Sequence, residues 1–200
     1  MKIFTIIKEH SNRIVEKNFT DVNGKPLWWH LLYELNGLDV TVNTDSPKFL
    51  KQLQSSNLKQ IQVIKREEKH IKWENDKSID SSPVEDMLFD FCKTVDNSEM
   101  VVLTHITSPF LKKETILKAI DILQNDHKAK SIHSVLQVQD FVWLKKGSQV
   151  SPVNFYTDRV QRTQDLQPIL VSKGAFFIAK AGDILDQRKR LPEPLLFFPL

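Results

Sequence analysis

The residues best suited to chemistry lie in the loop that follows the first apolar segment. Residues 3–7 are almost entirely apolar, and residues 8–18 then carry basic, amide and hydroxyl side chains, among them Lys8, Ser11, Lys17 and Asn18. Groups of these types at this spacing suit an anionic ligand such as the phosphates of a nucleotide. A solvated surface loop can have the same composition, so these residues alone leave both interpretations open.

Apolar segments with strand and helix patterns alternate along most of the chain. The patterns predict strands near residues 3–7, 38–42, 61–64, 100–103, 131–138 and 175–179, separated by helices near 27–35, 46–53, 82–95 and 112–123. Such alternation predicts an α/β fold with a mostly parallel sheet and helices on both faces. In such sheets ligands bind at the carboxyl edge, which is where the loop after residue 7 would lie.

Four further segments each lead to a separate expectation. Residues 65–81 are highly charged and predict a long solvated loop. Residues 82–85, Ser-Pro-Val-Glu, have the pattern of a capping box, which predicts that Ser82 caps the next helix. Residues 139–170 lose helical periodicity and predict an arm that leaves the sheet, and the apolar residues 194–200 predict a packed segment beyond which a natural domain would continue.

Composition narrows the class of protein. The 200 residues predict one domain spanning 1–200, and the mixed charge of +3 argues against nucleic acid as a partner. The single cysteine, Cys92, excludes an internal disulfide and is expected to be buried on a helix face. No signal peptide and no membrane span is recognisable, so we expect a cytoplasmic protein without membrane contact.

Several short stretches in fixed order identify a family resemblance, whereas phosphate-loop, dinucleotide-binding and nucleophile-elbow motifs are absent. In order, these stretches are Lys8-x-x-Ser11-x-Arg13-x-x-x-Lys17-Asn18, Asn23-Gly24-Lys25-Pro26-Leu27, Asn43-Thr44-Asp45, Thr107-Ser108-Pro109-Phe110, Arg162-x-Gln164-Asp165-Leu166 and Gly174-Ala175. In this respect the whole chain resembles the acylneuraminate cytidylyltransferases, the CMP-sialic acid synthetase family, and more distantly the CMP-KDO synthetases.

The resemblance implies a three-layer Rossmann-like (GT-A-like) nucleotidyltransferase fold and a specific reaction. Enzymes of this family join CTP to a 2-keto sugar acid of the sialic-acid type and release pyrophosphate, for surface polysaccharide or glycan synthesis. It also implies Mg²⁺ as cofactor and a homodimer formed through an arm, here residues 139–170.

The resemblance also assigns roles to individual residues. It implies catalytic phosphate contacts from Lys8 and Lys17, and nucleotide binding by the four residues Ser11, Asn18, Arg66 and Ser82. The sugar acid would be bound by His105, Thr107 and Gln164. No ligands for Mg²⁺ are identifiable in the chain.

Departures from the family pattern keep other interpretations open. Lys8 stands where the family has an arginine, so the two parallel hydrogen bonds of a guanidinium are lost, and Asn12 stands where the family has a lysine. The carboxylate-rich stretch that holds Mg²⁺ in the family would follow residue 200. The alternatives are a degenerate member that keeps the fold and binds a nucleotide or a protein partner without catalysis, or an unrelated nucleotide-binding α/β domain. The sequence does not choose among sialic, legionaminic, pseudaminic and KDO-type sugars.

Overall fold

The architecture is that of a twisted, mostly parallel sheet between helices. A computed structural model describes residues 1–10, 14–76, 78–79, 81–159 and 161–200. Its strands are β1 (Lys2–Ile7), β2 (Asp21–Val22), β3 (Lys25–Pro26), β4 (Val40–Thr44), β5 (Ile61–Lys65), β6 (Met100–Thr104), β7 (Ser131–Val138), β8 (Trp143–Lys146), β9 (Gln149–Pro152), β10 (Ile169–Lys180) and β11 (Leu195–Pro199). Its helices are α1 (Leu27–Glu34), α2 (Pro47–Gln54), α3 (Glu68–Asn75), α4 (Val84–Cys92), α5 (Lys113–Asn125) and α6 (Ala181–Gln187).

The central sheet has the order β11-β7-β10-β6-β1-β4-β5. β1 pairs in parallel with both β4 and β6, β4 pairs in parallel with β5, and β11 pairs in parallel with β7. Only β10, among the described strands of this sheet, runs antiparallel to its neighbours β6 and β7. The predicted fold class, α/β with a mostly parallel sheet, is therefore confirmed.

Two apolar clusters cover the two faces of the sheet. β1 supplies both, because its alternating side chains point to opposite faces: Ile3 and Ile7 join one cluster and Phe4 and Ile6 the other. The first cluster packs against α1, α2 and α5 through residues including Trp28, Leu31, Phe49, Ile116 and Ile120. The second packs against α4 and α6 through residues including Met87, Leu88, Phe91, Cys92 and Ile184. Cys92 is buried as expected, and burial raises the pKa of its thiol to about 12.

Two local expectations were wrong. The charged residues 65–81 do not form only a loop, since they contain helix α3. Ser82 does not cap α4: the residue before that helix is Pro83, and no side chain accepts a hydrogen bond there. Pro83, with φ −72° and ψ 5°, occupies the capping position, which is one residue later than expected. Proline has no side-chain acceptor, so the helix begins without a side-chain cap.

Two further segments, one between β7 and β10 and one near residue 200, also form strands. Between β7 and β10 the described residues contain the hairpin of β8 and β9, which forms a separate two-stranded sheet, whereas residues 169–170, expected to belong to the arm, already pair with β7 as the start of β10. The apolar residues near 200 form β11, an edge strand, with Leu196 and Phe198 against the first cluster. Within the described residues, no helix is both long and apolar enough to cross a membrane.

Ser46 caps α2 and provides a test of the local fold. Its buried hydroxyl accepts a hydrogen bond from the backbone N–H of Phe49 at 3.0 Å and donates one to the carboxylate of Glu9. We expect Ser46→Ala to lower the free energy of unfolding by about 1–2 kcal/mol, because a buried N–H loses its acceptor. Urea denaturation measures the change, and Ser55→Ala, at the exposed carboxyl end of the same helix, is the control. Equal stability of the two variants would contradict the cap.

Candidate functional site

The parallel strands end next to one another and deliver polar side chains to one edge. β1, β4 and β5 are in register at their ends, since Ile7 pairs with Thr44 and Thr44 with Lys65. The residues that come directly after the ends of β1, β4, β5 and β6 are Lys8, Asp45, Arg66 and His105. The carboxyl edge of the sheet therefore holds two cations, one carboxylate and one imidazole.

Threonine hydroxyls close the backbone at these strand ends. Thr44 donates its hydroxyl to the carbonyl of Ile7 at 2.6 Å, and Thr5 donates to the carbonyl of Thr104 at 2.9 Å. Thr104 in turn donates to the carbonyl of Ala175 at 2.7 Å. The backbone carbonyls at the point where the site residues begin are therefore satisfied by side chains of the protein itself.

A cavity of about 640 Å³ opens at this edge. Six of the predicted site residues line it, namely Lys8, Lys17, Asn18, Ser82, His105 and Thr107. They come from the loop after β1, the start of α4 and the loop after β6, which are far apart in the chain. Asn18 is buried and donates a hydrogen bond to the carbonyl of Lys8 at 2.8 Å, which ties the two ends of the first loop together.

Two other predicted residues, Arg66 and Gln164, are not among the described residues that line the cavity. Arg66 lies behind its wall with only 2% of its surface exposed. Gln164 is exposed in the 3₁₀ turn Thr163–Asp165 of the arm, where its carbonyl accepts a hydrogen bond from Gln139 at 3.0 Å. Ser11, predicted to contact phosphate, lies outside the described residues, as do Asn12 and Arg13.

Glu74 of α3 joins two of the cations. One carboxylate oxygen accepts from the Lys8 amine and the other from the Arg66 guanidinium. Arg66 also donates to the carbonyl of His70 at 3.2 Å and lies 3.9 Å from Asp45. A guanidinium this deeply buried needs such partners, because an unpaired buried charge costs several kcal/mol. Sequence patterns missed Glu74, since it lies in the segment expected to be a solvated loop.

The charge of Lys8 is set by competing neighbours. Burial, followed by the positive charges of Arg66 and Lys17, lowers the pKa of the Lys8 amine to about 8, and Asp45 opposes this shift. The amine also forms a direct ion pair with the carboxylate of Glu74. A pKa of about 8 leaves the Lys8 amine mostly protonated, and therefore cationic, at neutral pH.

Arg190 is a second lining residue that the sequence did not indicate. It lies in the segment between α6 and β11, and its guanidinium stacks over the ring of Phe177 at 4.7 Å. Its Nε lies 3.4 Å from a carboxylate oxygen of Glu85. Held in this way, Arg190 adds a third cation to the cavity beside Lys8 and Lys17.

His105 is neutral in this environment. Burial, then the positive charges of Arg190, Lys8 and Lys17, lower its pKa to about 4. Its ring lies edge-on to Phe177, with the ring centroids 6.0 Å apart. His105 can therefore donate or accept a hydrogen bond at neutral pH but does not contribute positive charge.

The lining residues do not form a magnesium site. Among the described residues that line the cavity, Glu74 is the only carboxylate, and both of its oxygens already accept from cations. Mg²⁺ needs an octahedral set of hard oxygen ligands, usually with one or two available carboxylates. The donor set here is mainly cationic and suits a polyanion.

Comparison with known proteins places the chain in a family. Residues 9–157 match the cytidylyltransferase family, so the chain belongs to that family. The N-acylneuraminate cytidylyltransferases of Streptococcus agalactiae serotypes III and Ia are each 27% identical to it over 201 residues, covering 94% of this chain and 46% of each relative. The chain thus spans about half the length of these relatives.

Solved structures show the same fold at low sequence identity. A CMP:2-keto-3-deoxy-manno-octonic acid synthetase complexed with CTP has a TM-score of 0.64 at 14% identity, covering 100% of this chain and 89% of that one. A 4-diphosphocytidyl-2C-methyl-D-erythritol synthase has a TM-score of 0.62 at 13% identity, covering 100% and 90%. These similarities confirm the Rossmann-like nucleotidyltransferase fold.

The lowered pKa of His105 predicts a loss of stability in mild acid. Its folded value of about 4 lies below the ordinary 6.5, so the unfolded chain binds the proton more readily. The contribution of neutral His105 to the free energy of unfolding is fully present above pH 6.5, the pKa of the unfolded chain, and is lost as the pH falls from 6.5 towards 4. The free energy of unfolding of the unmodified protein falls between about pH 7 and pH 5, and we expect this fall to be about 1–2 kcal/mol smaller in His105→Gln.

Urea denaturation at the two pH values measures this effect. His127→Gln, which changes an exposed histidine after α5, is the control and should leave the loss unchanged. A loss in His105→Gln equal to that of the unmodified protein would show that His105 is not held neutral by the fold.

Proposed function

We propose that this protein transfers a cytidylyl group from CTP to a 2-keto sugar acid of the sialic-acid type, forming a CMP-sugar and pyrophosphate. The observation that carries the proposal is the convergence of Lys8, Lys17, Asn18 and Ser82 with His105 and Thr107 around one cavity. The family match and the 27% identity to N-acylneuraminate cytidylyltransferases support the same reaction. Its products would serve the synthesis of surface polysaccharides or other glycans.

In this reaction the anomeric oxygen of the sugar attacks the α-phosphorus of CTP. A new phosphorus–oxygen bond forms, the bond to the bridging oxygen of the β-phosphate breaks, and pyrophosphate leaves with the bonding electrons. The hydroxyl proton passes to solvent. Catalysis of such a step is largely positioning and charge stabilisation. Lys8, Lys17 and Arg190 would neutralise the phosphates, and neutral His105 with Thr107 would orient the sugar.

Arg66 contributes to the proposed site from behind the cavity wall. The family resemblance gives it a role in nucleotide binding, but here its guanidinium is buried against Glu74, Asp45 and the carbonyl of His70. Its role in this proposal is to hold Glu74 and the loop after β5 in place. Direct contact with a base requires that Glu74 release it.

The proposal includes a homodimer of single-domain chains. The described residues between β7 and β10 include the hairpin of β8 and β9, and their exposed large apolar side chains are Phe141, Trp143, Leu144, Val150, Val153 and Tyr156. An exposed apolar set of this kind on an arm suits a protein partner. A second copy of the chain would bury it.

A second candidate function is nucleotide binding without catalysis. Glu74 favours it, because its carboxylate occupies the position between Lys8 and Arg66 where a phosphate would be expected. Release of pyrophosphate from CTP in the presence of keto sugar acids and Mg²⁺ separates the two functions, since only the enzyme produces it.

Lys17 provides the first test of the nucleotide site. We expect Lys17→Ala to weaken CTP binding about tenfold, because a charge-assisted contact to phosphate is worth roughly 1.5 kcal/mol or more. Calorimetric titration measures the affinity, and Lys118→Ala, an exposed lysine of α5, is the control. Unchanged affinity in Lys17→Ala would remove Lys17 from the site.

Glu74 provides the second test. Glu74→Gln leaves the buried Arg66 without its carboxylate, so we expect the free protein to be less stable by about 3 kcal/mol. CTP should bind this variant more tightly, because its phosphates no longer compete with Glu74 for Lys8. Glu68→Gln, on the exposed side of the same helix, is the matched control. Weaker CTP binding in Glu74→Gln than in Glu68→Gln would show that Glu74 helps to bind the nucleotide.

A further inference from the structure

A buried histidine of α3, which faces α4, lacks the hydrogen bonds that its burial requires. His70 is only 1% exposed, and neither ring nitrogen has a hydrogen-bond partner. Leaving a buried polar atom unpaired costs about 1–3 kcal/mol. His70 does not line the cavity described above, and the proposed reaction gives its imidazole no role.

Two carboxylates face this imidazole. Nε2 of His70 lies 3.4 Å from Oδ2 of Asp86 and 3.7 Å from Oδ2 of Asp90. The three ligand atoms all lie within 4.8 Å of one another. Asp86 and Asp90 are four residues apart on α4 and therefore share one face of that helix.

The spacing fits metal ligands better than it fits hydrogen bonds. A charged histidine bonded to a carboxylate would show a nitrogen–oxygen distance of about 2.7–2.9 Å. Two ligands of a tetrahedral Zn²⁺, each about 2.0–2.1 Å from the metal, lie about 3.3–3.4 Å apart. The distance of 3.4 Å to Asp86 matches this value, the distance of 3.7 Å to Asp90 is somewhat longer, and both are too long for direct ion-pair hydrogen bonds.

We propose that Nε2 of His70 and the carboxylates of Asp86 and Asp90 bind a divalent transition metal, with Zn²⁺ as the expected ion. One imidazole with two carboxylates suits Zn²⁺ or Co²⁺, whereas Mg²⁺ and Ca²⁺ prefer oxygen ligands alone. Three protein ligands leave a fourth position for water or an exogenous ligand.

Two lysines compete with the metal for Asp90. Lys69 and Lys93 lie 2.7 Å and 2.8 Å from its carboxylate oxygens. Both amines are more than half exposed, so they can turn towards solvent at little cost when a metal binds. Removing either competitor should strengthen metal binding.

The site would fix α3 against α4. Arg66 donates to the carbonyl of His70 at 3.2 Å, and Glu74 lies one turn further along the same helix. A metal on His70 would therefore restrain the helix that supplies Glu74 to the nucleotide cavity. Binding of the metal itself does not depend on the proposed transfer reaction.

Titration of the nucleotide-free protein with Co²⁺ and with Zn²⁺ tests the site. We expect one Co²⁺ per chain, with the visible absorption of a four-coordinate site, and displacement of Co²⁺ by Zn²⁺ but not by Mg²⁺. Asp86→Asn should lower the affinity by at least about tenfold, since even a residue that only orients a ligand contributes about 10–100-fold. Asp121→Asn, an exposed aspartate of α5, is the matched control and should bind normally.

Two further variants sharpen the outcome. His70→Gln should abolish the absorption, and Lys93→Gln should raise the affinity for Co²⁺. If His70→Gln fails to fold, Asp86→Asn still decides, because Asp86 is about one-third exposed and its loss leaves the core intact. Absence of stoichiometric binding, or binding equally strong in Asp86→Asn and in the unmodified protein, would overturn the proposal.

Discussion

The register of the parallel strands is the constraint on which the site depends. Because β1, β4 and β5 end at paired positions, and β6 lies beside β1, the residues that follow these strands meet at one edge. Threonine hydroxyls donate hydrogen bonds to the last carbonyls of β1 and β6. A shift of one residue in any strand would reverse the faces of its side chains and separate the residues that line the cavity.

Charge imposes the second constraint. The edge gathers Lys8, Lys17, Arg66 and Arg190 within one region, and Arg66 is buried almost completely. Repulsion among these cations is balanced in the free protein by Glu74 and Asp45. The phosphates of a bound ligand could replace these carboxylates as the balancing negative charge. The same cluster of cations therefore needs Glu74 of α3 in the free protein and suits a nucleoside triphosphate in the complex.

Much of the fold was predictable because apolar periodicity is local information. The stripe of α1, the buried face of α4 and the run of β7 are all visible as spacing in the sequence. Helix α3 was missed, since its buried side is a histidine and it is held by ion pairs that exist only after folding. Ser82 was misread as a cap, although it lines the cavity at the start of α4.

A site residue could be predicted where it follows a recognisable strand or matches the family pattern, and could not be predicted elsewhere. Lys8 and His105 could be placed at the sheet edge from the strands before them, and Lys17 and Asn18 from the family pattern. Glu74 and Arg190 could not be found, because one lies in a segment without an apolar stripe and the other is positioned by stacking on Phe177. Such partners depend on tertiary contacts that leave no spacing signal.

Calorimetric titration with CTP beside ATP, GTP and UTP, each with and without Mg²⁺, is the most direct measurement of the central claim. The claim is that the cavity at the sheet edge is a site for a cytidine nucleotide. Selective, stoichiometric binding of CTP is the expected result. Equal binding of all four nucleotides, or no binding of any, would contradict the claim and leave the family fold without the cytidine site.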